Sequence, residues 1–194
     1  VGLSITKEQL NQLPAETFKG KIFVIDNEAA AMKAVQRLRN FSLLGFDTET
    51  RPSFMKGKVN KVALMQLASE DECYLFRLNK IDYPDALDEI ICNPDIKKIG
   101  LSLRDDFAAI RKRSDKVPVN FVDLQQFVHE FGIDDNSLQK IYALVFGKRI
   151  SKSQRLTNWE ADQLTPAQQM YAAIDAWACV RIYKHLVNSQ HLIK

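Results

Sequence analysis

The chain has few of the residues that mark specialised scaffolds. Its 194 residues include three cysteines, seven glycines and six prolines. Cys73, Cys92 and Cys179 form no C-x-x-C pair, which argues against a disulfide framework or a cysteine-based zinc site. They fit a reducing intracellular compartment, cytoplasmic in a bacterium or nuclear in a eukaryote. His129, His185 and His191 lack metal-ligand spacing. Scarce Gly and Pro beside 46% apolar residues exclude collagen-like and disordered classes. The longest nearly apolar stretch, Tyr171 to Val180, is short and carries Asp175, so no membrane span is expected. No basic stretch followed by an apolar one opens the chain, so no signal peptide is expected. The glycine patterns of the serine-nucleophile elbow, the Walker loop and the dinucleotide fold are also missing.

The charge is nearly balanced but unevenly placed. Basic residues number 27 and acidic residues 24. Between Thr50 and Ser69 stand Arg51, Lys56, Lys58 and Lys61 without an acid; between Asn136 and Trp159 stand Lys140, Lys148, Arg149, Lys152 and Arg155, again without one. Such segregation can set a positive rim beside a negative site, an arrangement suited to a polyanion, although lysine-rich loops are also ordinary solvated surface.

At ~150 residues per domain the length suits one domain. Residues 1–20 read as an N-terminal extension and residues 21–194 as the domain. Strand patterns cover Lys21 to Ile25, Leu43 to Glu49, Lys61 to Ala68, Cys73 to Leu78, Lys97 to Leu101 and Asn120 to Val122. Helical patterns cover Glu28 to Arg39 after the N-cap Asn27, then Asp82 to Cys92, Arg104 to Lys112, 124–131, 137–146 and 166–188. This order predicts an α/β fold, a mixed central sheet flanked by helices with a helical C-terminal half.

Several acids break these patterns. Strand alternation in Leu43-Leu44-Gly45-Phe46-Asp47-Thr48-Glu49 puts Asp47 and Glu49 on one face and Leu44 and Phe46 on the other. Like charges that close repel unless a cation lies between them, and Mg²⁺ or Mn²⁺ prefers oxygen ligands. Tyr171, Asp175, Ala178, Ile182 and Leu186 form one helical stripe, apolar except for a carboxylate one turn after a phenol. A buried loop-capping aspartate is the alternative there. Asp105 and Asp106 open another helix, where acids commonly complement the dipole, and spacing does not choose between them. Together the acids point to metal-assisted hydrolysis.

Phe46-Asp47-Thr48-Glu49, Gly100 to Ile110, and Tyr171-Ala172-Ala173-Ile174-Asp175-Ala176 resemble, in order, the three motifs of the DEDD 3′-to-5′ exonucleases of the ribonuclease H-like fold. Met170 stands where the histidine branch has His, and Tyr171 fills the slot of the tyrosine branch, which includes ribonuclease D and the Werner-type domains. Val62 to Leu67, Cys73 to Phe76 and Thr157-Asn158-Trp159 resemble the Werner-type members; Arg51 departs from them where they carry an aromatic residue before proline. The resemblance implies two divalent cations, Mg²⁺ or Mn²⁺, held by Asp47, Glu49, Asp106 and Asp175, with Tyr171 orienting the attacking water. It implies release of nucleoside 5′-monophosphates from single-stranded or 3′-recessed nucleic acid, DNA favoured over RNA. Thr48 and the Leu64-Met65-Gln66 strand would then wall the terminal nucleotide, with core packing the alternative for Leu64 and Met65. Lys148, Arg149, Lys152 and Arg155 would follow the phosphates, and Trp159 would stack on a base or anchor the final helix.

Overall fold

The structure is a computed structural model that describes residues 2–192. In chain order its elements are α1 (Lys7–Asn11), β1 (Lys21–Ile25), α2 (Glu28–Leu38), β2 (Leu43–Thr50), β3 (Val62–Ala68), β4 (Glu72–Arg77), α3 (Leu78–Ile81), α4 (Asp85–Ile91) and β5 (Lys97–Gly100). There follow α5 (Arg104–Arg111), β6 (Phe121–Asp123), α6 (Leu124–Phe127), a 3₁₀ turn (Val128–Phe131), α7 (Leu138–Phe146) and α8 (Pro166–Leu192). The strands make one sheet in the order β1-β4-β3-β2-β5-β6. β3 runs antiparallel to β2 and β4, and the remaining pairs are parallel. The expected mixed sheet with flanking helices is therefore present.

Alternation along the strands builds a core on each side. Leu44, Phe46, Met65 and Leu67 pack with Leu38 of α2 and Leu87 of α4. Leu64, Ala68 and Ile99 pack with Tyr142 of α7 and with Tyr171, Ala176 and Trp177 of α8. α8 opens with a reciprocal capping box: the Gln168 amide N–H donates to Thr165 Oγ1 at 3.1 Å, and the Thr165 N–H donates to Gln168 Oε1 at 3.0 Å. At 27 residues α8 is roughly 40 Å long, and no helix of the described residues is long and apolar enough to cross a membrane.

β2 meets α8 closely at Gly45. A Cβ there would lie 1.8 Å from the Ala176 carbonyl oxygen, so only glycine admits the helix at this height.

The helix expected over Asp82 to Cys92 is shortened to α4 (Asp85–Ile91). Asp82 takes φ +59°, a left-handed conformation, and Tyr83 precedes Pro84, so α4 begins only at Asp85. Residues ahead of the sheet are fastened to the helical half. Arg149 donates its N–H to the Pro14 carbonyl at 2.9 Å, and Glu16 donates its N–H to the Arg149 carbonyl at 2.8 Å. Glu16 Oε2 also accepts from the Tyr142 hydroxyl at 2.5 Å and from Arg181 at 3.0 Å.

Candidate active site

β2 pairs with β5 only through Leu43, Leu44 and Gly45, which leaves its C-terminal end free on that side. Asp47 and Glu49 project from this end toward α8, and Asp175 enters from α8 one turn after Tyr171. One carboxylate oxygen from each of Asp47, Glu49 and Asp175 lies within 4.8 Å of the others. Glu49 and Asp175 are buried and Asp47 is partly exposed. The three acids, Tyr171, Lys152 and Arg155 line a cleft of about 510 Å³.

Lost hydration and mutual repulsion distort these groups. Asp47 is held well above the ordinary carboxylate range, first by loss of hydration and then by the charges of Glu49, Asp175 and Asp106. Glu49 is pushed up to about 9 by burial and by Asp175, against the Gln66 amide and Arg155. Asp175 rises to about 7 through burial, opposed by Lys152 and the Tyr171 phenol. Asp175 Oδ1 is buried with no hydrogen-bond partner. Three converging carboxylates, one with an oxygen that has no donor, fit a divalent cation.

Asp106 lies outside that trio. It stands in the first turn of α5, where its Oδ1 accepts a hydrogen bond from the Thr48 hydroxyl, and burial raises it to about 6. Asp105 is exposed, so Asp106 is the member of the pair turned to the site. Thr48 points to the opposite face of β2 from Asp47 and so links the α5 carboxylate to the strand.

Burial and then the charges of Asp175, Glu49 and Asp47 raise the Tyr171 phenol. It stays protonated near neutrality and can donate a hydrogen bond.

Other expectations need correction. Of the two readings open for each of Leu64, Met65 and Trp159, nucleic-acid contact is overturned and packing holds, since all three are fully buried. Leu64 and Met65 belong to the two cores because β3 is an inner strand covered on both faces. Trp159 lies under its own loop, its ring centroid 5.9 Å from that of Tyr171, and anchors that loop. Of the four cations expected on the phosphates, Lys152 and Arg155 reach the cleft. Lys148 instead lies 3.7 Å from Glu16, and Arg149 Nε donates to the Leu13 carbonyl at 2.9 Å, so both hold residues 13–16.

From the sequence, Gln66 is read only as part of the Leu64-Met65-Gln66 strand near the first motif, with no role of its own. It is the register partner of Asp47, and its amide donates to Glu49 Oε1 at 3.4 Å and to the Ala172 carbonyl at 3.3 Å. The available signal was a lone amide in the apolar run Val62-Ala63-Leu64-Met65-Gln66-Leu67-Ala68.

A model of the 3′-5′ exonuclease family matches residues 22–190. The chain is 35% identical over 158 residues to the mouse bifunctional 3′-5′ exonuclease/ATP-dependent helicase WRN, covering 78% of this chain and 11% of that protein. It is 25% identical to the Aedes aegypti exonuclease mut-7 homolog, covering 88% of this chain and 27% of that protein. The chain thus spans about a tenth to a quarter of these relatives. Among solved structures, the Aedes aegypti Nibbler EXO domain superposes with a TM-score of 0.82 at 22% identity, over 93% of this chain and 94% of that one. Escherichia coli RNase D superposes at 0.76 and 23% identity, over 87% of this chain and 45% of that one. The fold is shared with both, and the match over residues 22–190, which takes in all four acids and the phenol, makes this chain a member of the 3′-5′ exonuclease family.

Proposed function

We propose that this chain removes nucleotides from the 3′ end of nucleic acid, hydrolysing the terminal phosphodiester to a nucleoside 5′-monophosphate with two divalent cations, Mg²⁺ or Mn²⁺. The observation that carries this reading is the convergence of Asp47, Glu49 and Asp175 within 4.8 Å, with Asp175 Oδ1 lacking any donor. Asp47, Glu49 and Asp175 would hold one cation; Asp106, steadied by Thr48, would help hold the second. When bound, such cations activate water and neutralise charge on the departing 3′ oxygen.

The protein's own groups then position the reactants. Gln66 fixes the Glu49 carboxylate, and Tyr171, a protonated phenol, donates to the attacking water and holds it in line. Lys152 and Arg155 take the phosphates at the mouth of the cleft. No covalent intermediate is needed. DNA is favoured over RNA in this reading because Val62 to Leu67 and Thr157-Asn158-Trp159 resemble the Werner-type members.

The test is a matched pair of 5′-labelled DNA and RNA strands incubated with Mg²⁺, Mn²⁺ or EDTA. Stepwise shortening that needs the metal, faster on DNA, is expected. Internal cuts, or shortening in EDTA, would reject the mechanism; faster loss of RNA would reverse the preference.

A further inference from the structure

The loop between β2 and β3 lies beside the carboxylate cleft and has a composition unlike the rest of the surface. Phe54 is 89% exposed, Val59 87%, Met55 68% and, across the rim, Leu156 67%; no other large apolar side chain of the described residues is as exposed. Apolar surface grouped in this way marks a binding surface. Arg51, Lys56, Lys58 and Lys61 accompany it, and none of them forms an ion pair among the described residues.

The loop also separates two grooves. On one side, a hollow of about 360 Å³ runs from Glu49 past Arg51, Lys58 and Val59 to Arg155 and Leu156, and so continues from the carboxylate cleft. On the other, a groove of about 510 Å³ lies between the loop and α5, lined by Lys61, Lys112 and Arg113 and reaching Asp105 and Asp106 beside Thr48. Val59 and Asn60 line both. One groove suffices for a single strand entering the site. A second groove with its own cations, divided from the first by an exposed apolar ridge, suits a second strand.

We propose that the 51–61 loop parts the end of a duplex. This rests on the exonuclease reading above and names its substrate as nucleic acid with a double-stranded part. The strand being shortened passes Arg155 into the cleft, and the complementary strand is drawn along Lys61 and Lys112. Phe54 takes the place of the stacking lost by the opened end pair, because base faces stack on aromatic side chains whatever their sequence.

The experiment compares a 5′-labelled single strand with the same strand annealed to leave a recessed 3′ end, in Mg²⁺ or Mn²⁺. The wild-type chain is expected to shorten both. A Phe54→Ala variant, altered only at an exposed position that lines neither groove, is expected to keep its single-strand rate and lose about tenfold on the duplex, the scale of one stacked base. Lys61→Ala with Lys112→Ala is expected to raise the duplex KM alone and to make it less sensitive to salt. In EDTA, 2-aminopurine in the end base pair should brighten on binding the wild type and not the Phe54→Ala protein. Equal losses on both substrates, or no loss on either, would overturn the proposal, the second outcome assigning the apolar ridge to a protein partner. A wild type active on single strands only would overturn it while leaving the exonuclease reading intact; one inactive on both substrates would remove both.

Discussion

Asp88 and Asp175 are buried to nearly the same degree, 5% and 6% exposed, yet their surroundings differ. Asp88 accepts from the Tyr83 hydroxyl at 2.7 Å and the Ser114 hydroxyl at 2.6 Å, with the Cys92 thiol at 3.6 Å. Asp175 has an oxygen without a donor, and its neighbours Asp47 and Glu49 carry the same charge. Burial alone therefore says little about an acid. A carboxylate whose lone pairs are satisfied ties the chain together, whereas one left unsatisfied beside like charges is arranged for something not made of protein.

The largest expected contrast comes from removing each charge. Asp47→Asn or Asp175→Asn should lower the exonuclease rate by about 10³-fold, the scale of losing a principal electrostatic stabiliser. Because each relieves repulsion, the metal-free melting temperature should rise by a few degrees. Asp88→Ala should do the reverse, costing about 2–3 kcal/mol in chemical denaturation by stranding two hydroxyls while leaving the rate per folded molecule unchanged. A destabilised Asp175→Asn or an inactive but stable Asp88→Ala would erase the distinction.

Gln66 stands between the two cases, bonded to Glu49 through its nitrogen while its oxygen is unpartnered. Gln66→Leu keeps the volume and removes the tether. It should lower kcat about tenfold with little change in KM, the effect of losing a partner that orients a metal ligand; a change confined to KM would make Gln66 a substrate contact instead.

A further effect is on pH dependence without metal. Glu49 at about 9 and Asp175 at about 7 bind protons more tightly in the folded state than in the unfolded chain. Above the ordinary carboxylate range the native state therefore holds more protons, so stability falls as pH rises from about 4.5 toward 9. Denaturation at several pH values in EDTA should show this slope. Asp88→Ala should retain it, Asp175→Asn should flatten it, and saturating Mn²⁺ should reduce it.

Features that depend on local periodicity were legible before any coordinates. The strand expected over Leu43 to Glu49 is β2 (Leu43–Thr50), and the alternation that divides Asp47 and Glu49 from Leu44 and Phe46 holds. The Tyr171–Asp175 stripe likewise faces the site. What escaped depends on residues distant in the chain. Gln66 acquires its role only through pairing with Asp47, and Arg149 leaves the set of phosphate contacts only because Leu13 and Pro14 lie against it. Between stacking on a base and packing, the sequence leaves Trp159 open because its loop has no periodicity to read; its burial decides for packing. The break before α4 arose from Asp82, whose left-handed φ interrupts an otherwise helical pattern.

Gly45 contributes no functional group, yet it sets the gap between strand and helix that the two halves of the carboxylate cluster must bridge. An added methyl would strike the Ala176 carbonyl and force α8 outward, carrying Asp175, the neighbouring residue, away from Asp47. The spacing of the cluster's oxygens thus depends on a hydrogen atom on the backbone, and substitutions there would change it without altering a carboxylate.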